Sequence, residues 1–102
     1  MPQTPPRSRE CAVLFADLVG STQLYERMGD TAAFALIDRC LRSMRDSVIG
    51  SSGRVIKMTG DGLLATFRAC DHAADTAFAI HRDISTLPLV AHFSLGVRTG
   101  FH

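Results

Sequence analysis

The apolar residues of the chain follow two periods, which divide it into strands and helices. An apolar run from Cys11 to Phe15 predicts a first strand over about residues 10–16. Two β-prone runs on either side of a Gly-Asp-Gly turn at residues 60–62 predict a hairpin. A further run predicts a last strand over about residues 91–97. The intervening stretches carry apolar residues at steps of three and four, which predict amphipathic helices.

Three helices are expected. A short one over residues 21–28 stops at Gly29, since glycine commonly ends helices. A longer one begins at a cap formed by Asp30 or Thr31 and is too short for a coiled coil, so it is interpreted as packing on the core. A third begins at Asp71. The predicted buried stripes are Phe34, Ile37, Leu41, Met44 and Val48 in the second helix, and Ala73, Ala77, Ile80 and Ile84 in the third.

The order strand, helices, strand, strand, helix, strand indicates an α+β protein with the ferredoxin-like βαββαβ fold. This fold is a four-stranded antiparallel sheet with helices on one face and right-handed crossovers. The first strand should lie centrally, beside the strand that opens the hairpin. Alternation places Val13, Phe15 and Asp17 on one face of the first strand, and Val55 and Lys57 on one face of the opening hairpin strand. The uncovered sheet face is expected to include the apolar residues Val13, Phe15 and Val55, which predict a bound partner subunit, further chain or ligand.

Composition limits the classes of protein to consider. The chain has 102 residues, 46% hydrophobic and 21% charged, which is typical of one globular domain. A formal net charge of +1 gives no electrostatic case for nucleic acid or an anionic membrane. No apolar run has transmembrane length and no signal peptide is evident, so we expect a cytoplasmic chain without a membrane segment. The proline-rich residues 1–9 are expected to be a disordered leader or the end of a linker.

The cysteines and histidines indicate neither disulfides nor zinc. Cys11, Cys40 and Cys70 are odd in number and far apart, which favours reduced thiols, two of them buried. The four histidines show no pairing with cysteine at zinc-site spacings.

A carboxylate, Asp17, follows the first apolar run and precedes Gly20, Ser21 and Thr22, a turn with two good helix-capping residues. Such a junction can bind a metal and a phosphate, because a carboxylate is a hard oxygen ligand and free helical N–H groups attract anions. An aspartate at this position can equally be a local cap.

Asp61, in the Gly-Asp-Gly turn, is a second carboxylate that the fold can bring to the same sheet edge as Asp17. Alone, it is explained as an ordinary turn residue. Paired carboxylates beside a helix N-terminus are what a two-metal phosphoryl-transfer site requires. The pairing therefore favours a metal site.

Three segments together resemble the class III nucleotidyl cyclases: FADLVGST at residues 15–22, GRVIKMTGDG at residues 53–62 and GVRTG at residues 96–100. They occur in the order and with the spacing of that family. The resemblance implies that residues 10–102 are the N-terminal portion of a cyclase catalytic domain of the adenylyl type. Such an enzyme converts ATP into cyclic AMP and pyrophosphate.

The resemblance also implies residue roles. Asp17 and Asp61 match the aspartates that bind two Mg²⁺ or Mn²⁺ ions, and Leu18 matches a residue whose backbone carbonyl contacts a metal. Lys57 matches the base-recognising position, where lysine resembles adenylyl and glutamate guanylyl cyclases. An ammonium can donate to N1 of adenine, whereas guanine offers N–H donors; the alternative is an ordinary solvated lysine. The other implied substrate-binding residues are Val19, Gly20, Ser21 and Thr22, in the turn that receives the triphosphate, and Gly60.

The sequence also departs from the family. In the family, the domain continues with a second base-recognising residue and with an asparagine and an arginine that stabilise the transition state, whereas this sequence stops at His102. Losing charge stabilisation of that kind typically costs ~10²-fold or more in rate. We therefore expect a fragment of a longer enzyme or a shortened, inactive relative. The absence of a Walker-type glycine loop argues against a P-loop enzyme.

Family sites form between protomers, which implies a homodimer through the uncovered sheet face with two shared sites. The alternative is a cyclase-like module that binds nucleotide or mediates dimerisation without chemistry. A ferredoxin-like RNA-binding domain is disfavoured, because the strands lack the exposed aromatics and basic patch that such domains use.

Overall fold

The structure, a computed structural model, describes residues 12–87 and 95–101. The strands and helices follow the predicted order. They are β1 (Ala12–Val19), α1 (Ser21–Met28), α2 (Asp30–Gly50), β2 (Arg54–Met58), β3 (Gly62–Phe67), α3 (Cys70–Ser85) and β4 (Gly96–Phe101). The predicted leader at residues 1–9 and Cys11 lie outside the described residues. No helix in the described ranges is long and apolar enough to cross a membrane.

The four strands form one antiparallel sheet in the order β2-β3-β1-β4, which confirms the predicted α+β arrangement. β1 is central, as predicted. Its hairpin neighbour is β3, however, and not the opening strand β2. The reason is that each helical crossover of a split βαβ unit passes over one strand, so β3 lies between β1 and β2.

β1 separates a buried face from an open one. Leu14 and Ala16 are fully buried toward the helices, whereas Phe15 on the other face is 43% exposed. This alternation is the predicted one. Helices therefore cover one sheet face, and the other carries Val13, Phe15 and Asp17.

The buried side of α3 is as predicted, whereas that of α2 differs at Phe34. Phe34 is 63% exposed, because the core side of the helix is offset by one residue toward Ala33. The small side chains of Ala33 and Cys40 permit close packing there. The buried residues of α2 are Ala33, Leu36, Ile37, Cys40, Met44 and Val48, and those of α3 are Ala73, Thr76, Ala77, Ile80 and Ile84.

Two strand boundaries differ from the prediction. β1 continues past residue 16 because β4 pairs with it as far as Val19, opposite Gly96. β4 is Gly96–Phe101, whereas the prediction ended at residue 97. Residues 91–94 of the predicted strand lie outside the described residues.

The helices lack the predicted capping side chains, and two of them are preceded by glycine. No side-chain hydrogen bond caps α1, α2 or α3. Gly20 and Gly29 occupy the positions before α1 and α2 with φ of 95° and 84°, which residues with a Cβ rarely adopt. Asp30 and Asp71 lie in first turns, where a carboxylate favours the helix dipole.

A register shift in β2 moves Val55 from its predicted face and leaves Lys57 on the open face. Val55 pairs with Ala65, but Lys57 pairs with Leu64, so Ile56 is an extra residue between them. A bulge of this kind interrupts strict alternation. Val55 therefore packs partly buried against the core, and its predicted place on the open face was wrong. Lys57 lies opposite Leu64 on the open face.

The β1–β3 pair leaves no room for a side chain at Gly62. Gly62 lies opposite Asp17, and a Cβ there would collide with the Asp17 carboxylate and the Ala16 carbonyl oxygen. Gly60, by contrast, has no neighbouring atom within 4 Å of a Cβ. The two hairpin glycines therefore differ in their tolerance of substitution.

Gly62→Ala should lower the free energy of unfolding by about 1–3 kcal/mol, because a backbone contact cannot yield without moving β1. Urea denaturation measures the change. The matched control, Gly60→Ala, should leave the midpoint nearly unchanged. Equal effects at the two positions would contradict the close approach of β1 and β3.

Cys40 is buried in the core side of α2, whereas Cys70 is exposed at the start of α3. Desolvation by burial raises the pKa of the Cys40 thiol to about 11, against a smaller lowering effect of Arg39. A thiol with this pKa stays protonated at neutral pH, and the thiol form is unreactive.

A variant that retains Cys40, with Cys11 and Cys70 replaced by serine, should react with a thiol reagent at pH 8 at least ~10²-fold more slowly when folded than in denaturant. A variant that retains Cys70 serves as the control and should react readily when folded. Rapid labelling of folded Cys40 would contradict its burial.

Candidate functional site

Asp17 and Asp61 are brought together by backbone pairing. Asp17 forms the last β1–β3 pair, opposite Gly62. The next residue, Leu18, donates its N–H to the Asp61 carbonyl oxygen at 2.7 Å. Asp17 thus lies within β1, and not after it as the sequence suggested. The two residues predicted as metal ligands therefore lie at the same end of the β1–β3 strand pair.

The hairpin turn holds Asp61 at the surface. The Thr59 hydroxyl donates to the Asp61 carboxylate at 3.4 Å, and the Thr59 N–H donates to the Gly62 carbonyl at 2.9 Å. Asp61 itself is exposed. Its carboxylate is therefore oriented locally and remains accessible to a ligand.

Arg98 is a charged residue of this edge that the sequence analysis did not identify. It pairs with Asp17 across β1 and β4, and its guanidinium lies 3.7 Å from the Asp17 carboxylate. The side chains are 76% and 41% exposed, so the ion pair contributes little to stability. The GVRTG segment contains Arg98. The last strand was predicted to end at residue 97, however, so the prediction could not place Arg98 opposite Asp17.

The turn after β1 contains the predicted triphosphate residues. Val19 is exposed at the end of β1, and Gly20 makes the left-handed turn. Ser21 and Thr22 begin α1, whose first intrahelical bond runs from the Leu24 N–H to the Gly20 carbonyl at 3.1 Å. Earlier N–H groups of the helix have no intrahelical acceptor, so they can attract an anion.

The structure separates Lys57 from Asp17 by one strand. Lys57 lies on the edge strand β2, opposite Leu64 of β3, which is opposite Phe15 of β1. The β2 and β1 backbones are therefore ~10 Å apart at this level. Lys57 shares the open face with Leu64, Phe15 and Asp17. Its two successive neighbours across the sheet, Leu64 and Phe15, are apolar.

The donor set fits a hard divalent cation. Two carboxylates and the backbone oxygens near Leu18 are the ligand type that Mg²⁺ prefers, completed by water and substrate phosphates. Within residues 12–87 and 95–101, no group of three or more His, Cys, Asp or Glu side chains gathers. A cation here would therefore depend on substrate oxygens as well as on the protein. A cavity of about 640 Å³ between α2 and α3 is lined by other residues.

The chain has relatives among curated proteins, although no protein-family model matches it. An uncharacterized protein of Mycobacterium tuberculosis is 34% identical over 87 residues, which are 82% of this chain and 16% of that protein. An adenylate cyclase of Streptomyces coelicolor is 29% identical over 92 residues, 90% of this chain and 24% of that protein. The chain therefore spans less than a quarter of the length of these relatives.

Solved cyclase structures share the fold. The adenylyl cyclase CyaB from P. aeruginosa superposes with a TM-score of 0.78 at 21% identity, covering 88% of this chain and 53% of that one. The guanylate cyclase domain of RhGC from Catenaria anguillulae, solved with GTP, gives a TM-score of 0.75 at 20% identity, with the same coverage of both chains. Adenylyl and guanylyl cyclases thus share this arrangement of strands and helices. The chain has the catalytic-domain fold of the class III nucleotidyl cyclases, and the resemblance that its motifs carry is confirmed.

Proposed function

We propose that the chain is the N-terminal portion of an adenylyl cyclase catalytic domain, which converts ATP into cyclic AMP and pyrophosphate. The observation that carries the proposal is the pairing of β1 with β3, which sets Asp17 beside the turn that holds Asp61. The reaction joins the 3′-oxygen of ATP to the α-phosphorus and breaks the bond from that phosphorus to the pyrophosphate oxygen. The 3′-hydroxyl loses its proton in this step.

Asp17 and Asp61 would hold two Mg²⁺ or Mn²⁺ ions, together with the Leu18 backbone carbonyl. When bound, such ions lower the pKa of the attacking hydroxyl and neutralise charge on the phosphates. The contribution of the chain is to hold two carboxylates at one sheet edge, on a rigid strand and an adjoining turn. The close contact at Gly62 keeps the backbones of β1 and β3 together at this end.

The triphosphate would bind at the turn from Val19 to Thr22. Gly60 would be a further substrate-binding residue. The free N–H groups at the start of α1 attract the negative charge, and the left-handed Gly20 gives the backbone its sharp turn. Arg98 supplies a further cation on the open face. Because its ion pair with Asp17 is exposed and weak, Arg98 can exchange the carboxylate for a phosphate oxygen.

Lys57 would recognise adenine by donating to N1, as the resemblance implies. In one chain, β3 lies between Lys57 and the Asp17 strand. A homodimer through the open sheet faces would bring Lys57 of one protomer to the carboxylates of the other, forming two symmetric sites. The exposed apolar side chain of Phe15 on that face favours its burial in such an interface.

A second candidate is a cyclase-like module that binds nucleotide or mediates dimerisation without turnover. The Asp17–Arg98 ion pair favours it, because the metal ligand already has a partner. The formation of cyclic AMP distinguishes the two candidates. The enzyme produces cyclic AMP, whereas the module produces none, whether it binds Mn²⁺-ATP or mediates dimerisation.

Asp17→Ala and Asp61→Ala should each lower the affinity of the chain for Mn²⁺-ATP in calorimetry, and should reduce cyclic AMP formation by the full gene product ~10²-fold or more. The physical reason is the loss of a charged ligand at the metal. Asp75→Ala, at an exposed position on α3, is the matched control and should change neither quantity. Unchanged binding in either test variant would refute the metal assignment.

Lys57→Glu should reduce ATP use by the full gene product, because a carboxylate cannot donate to N1 of adenine and repels the nucleotide. The ratio of cyclic AMP formation in variant and wild type measures the effect. Activity equal to or above wild type would argue against base recognition by Lys57.

Mixing the Lys57→Glu and Asp17→Ala proteins tests whether sites are shared. A mixed dimer then contains one site with both residues intact, so part of the activity should return. Activity that stays at the level of the separate variants would place Lys57 and Asp17 in the same protomer's site or outside any site.

A further inference from the structure

β4 is an edge strand of the sheet. Apart from the buried Leu95 just before it, its residues are half-buried or exposed, with Val97 packed against the core. In the described part of the chain, β4 pairs with β1 alone. On the helix side, β4 also packs against α3.

A cavity of about 220 Å³ lies between α3 and β4, and its lining includes Phe78, His81, Thr99 and Phe101. Packing of apolar side chains is incomplete at this junction. One polar contact crosses it: His81 Nε2 lies 3.2 Å from the Thr99 hydroxyl oxygen, which is hydrogen-bond distance. The contact joins two segments that are far apart in sequence.

Thr99 directly follows Arg98, and consecutive strand residues point to opposite faces. Thr99 lies opposite Ala16 on the helix side, whereas Arg98 lies opposite Asp17 on the open side. A bond that holds Thr99 to α3 therefore also fixes the backbone from which Arg98 extends. Without it, the pairing with β1 is what remains to fix this part of β4.

We infer that His81 is a positioning residue for Arg98, acting through Thr99. The inference rests on the proposed function, in which Arg98 contacts the triphosphate. His81 itself touches neither substrate nor metal. Its hydrogen bond fixes the position of β4 relative to α3, and thereby the position of the Arg98 guanidinium beside Asp17.

The test measures the affinity of the full chain for Mn²⁺-ATP and for Mn²⁺-tripolyphosphate by calorimetry. His81→Ala and Thr99→Val should each weaken both ligands about fivefold, the factor that one ordinary net hydrogen bond supplies. Because both ligands share the phosphates, a loss for ATP alone would overturn the inference. His81→Gln, which keeps an N–H donor, should restore most of the affinity.

A double-variant cycle separates positioning from general destabilisation. In an Arg98→Ala background, His81→Ala should cause no further loss, because the group that it positions is gone. His72→Ala, an exposed histidine in the first turn of the same helix, is the matched control and should leave both affinities unchanged.

The failures are distinguishable. If Arg98→Ala leaves both affinities unchanged, the proposed role of Arg98 fails and the inference fails with it. If Arg98→Ala weakens binding but His81→Ala does not, the inference alone is overturned. Additive losses in the double variant likewise overturn it, since they show that His81 acts independently of Arg98.

Discussion

The pairing of β1 with β3 is the constraint on which the candidate site depends. It ends at Asp17 and Gly62, where the backbones approach too closely for any side chain at residue 62. The hydrogen bond from Leu18 to Asp61 then ties the strand to the turn. Two carboxylate-bearing residues from distant parts of the chain therefore lie at the same end of the β1–β3 pair. Carboxylate oxygens are ligands that a hard divalent cation prefers.

The two faces of the sheet differ in the residues that they carry. The helix side is a core of small and branched apolar residues, which stabilises β1 as a rigid platform. The open side carries Asp17, Arg98 and Lys57 around the apolar Phe15. Under the proposed function, the charged residues of this face bind the nucleotide and the aromatic ring of Phe15 is buried in the dimer interface. The proposal thus assigns stability and ligand binding to opposite faces.

Sequence reasoning predicted the fold because its elements are locally encoded. The α3 stripe, the Gly-Asp-Gly turn and the alternation in β1 each follow from periodicity or turn chemistry. The errors arise where tertiary contacts decide. The bulge at Ile56 moved Val55 off the open face, and it depends on pairing with β3, which no local pattern reveals.

The same distinction between locally encoded features and those set by tertiary contacts applies to the candidate site. Asp17 and Asp61 could be paired from the sequence, because the fold class brings a strand and a hairpin turn to one edge. Arg98 could not be placed, since its position opposite Asp17 depends on the exact register of β4. The helix caps were also misassigned, because a glycine with positive φ precedes α1 and α2 where side-chain caps at Ser21 and Asp30 were expected. Family resemblance supplied the residue roles, which periodicity alone does not contain.

The most direct test of the central claim is a crystal structure of the chain with Mn²⁺ and a non-hydrolysable ATP analogue, with manganese located by anomalous scattering. Manganese should lie within about 2.5 Å of carboxylate oxygens from both Asp17 and Asp61. The triphosphate should lie against the turn at Gly20. Nucleotide bound with manganese on neither aspartate, or with Arg98 still paired to Asp17 and the phosphates elsewhere, would contradict it.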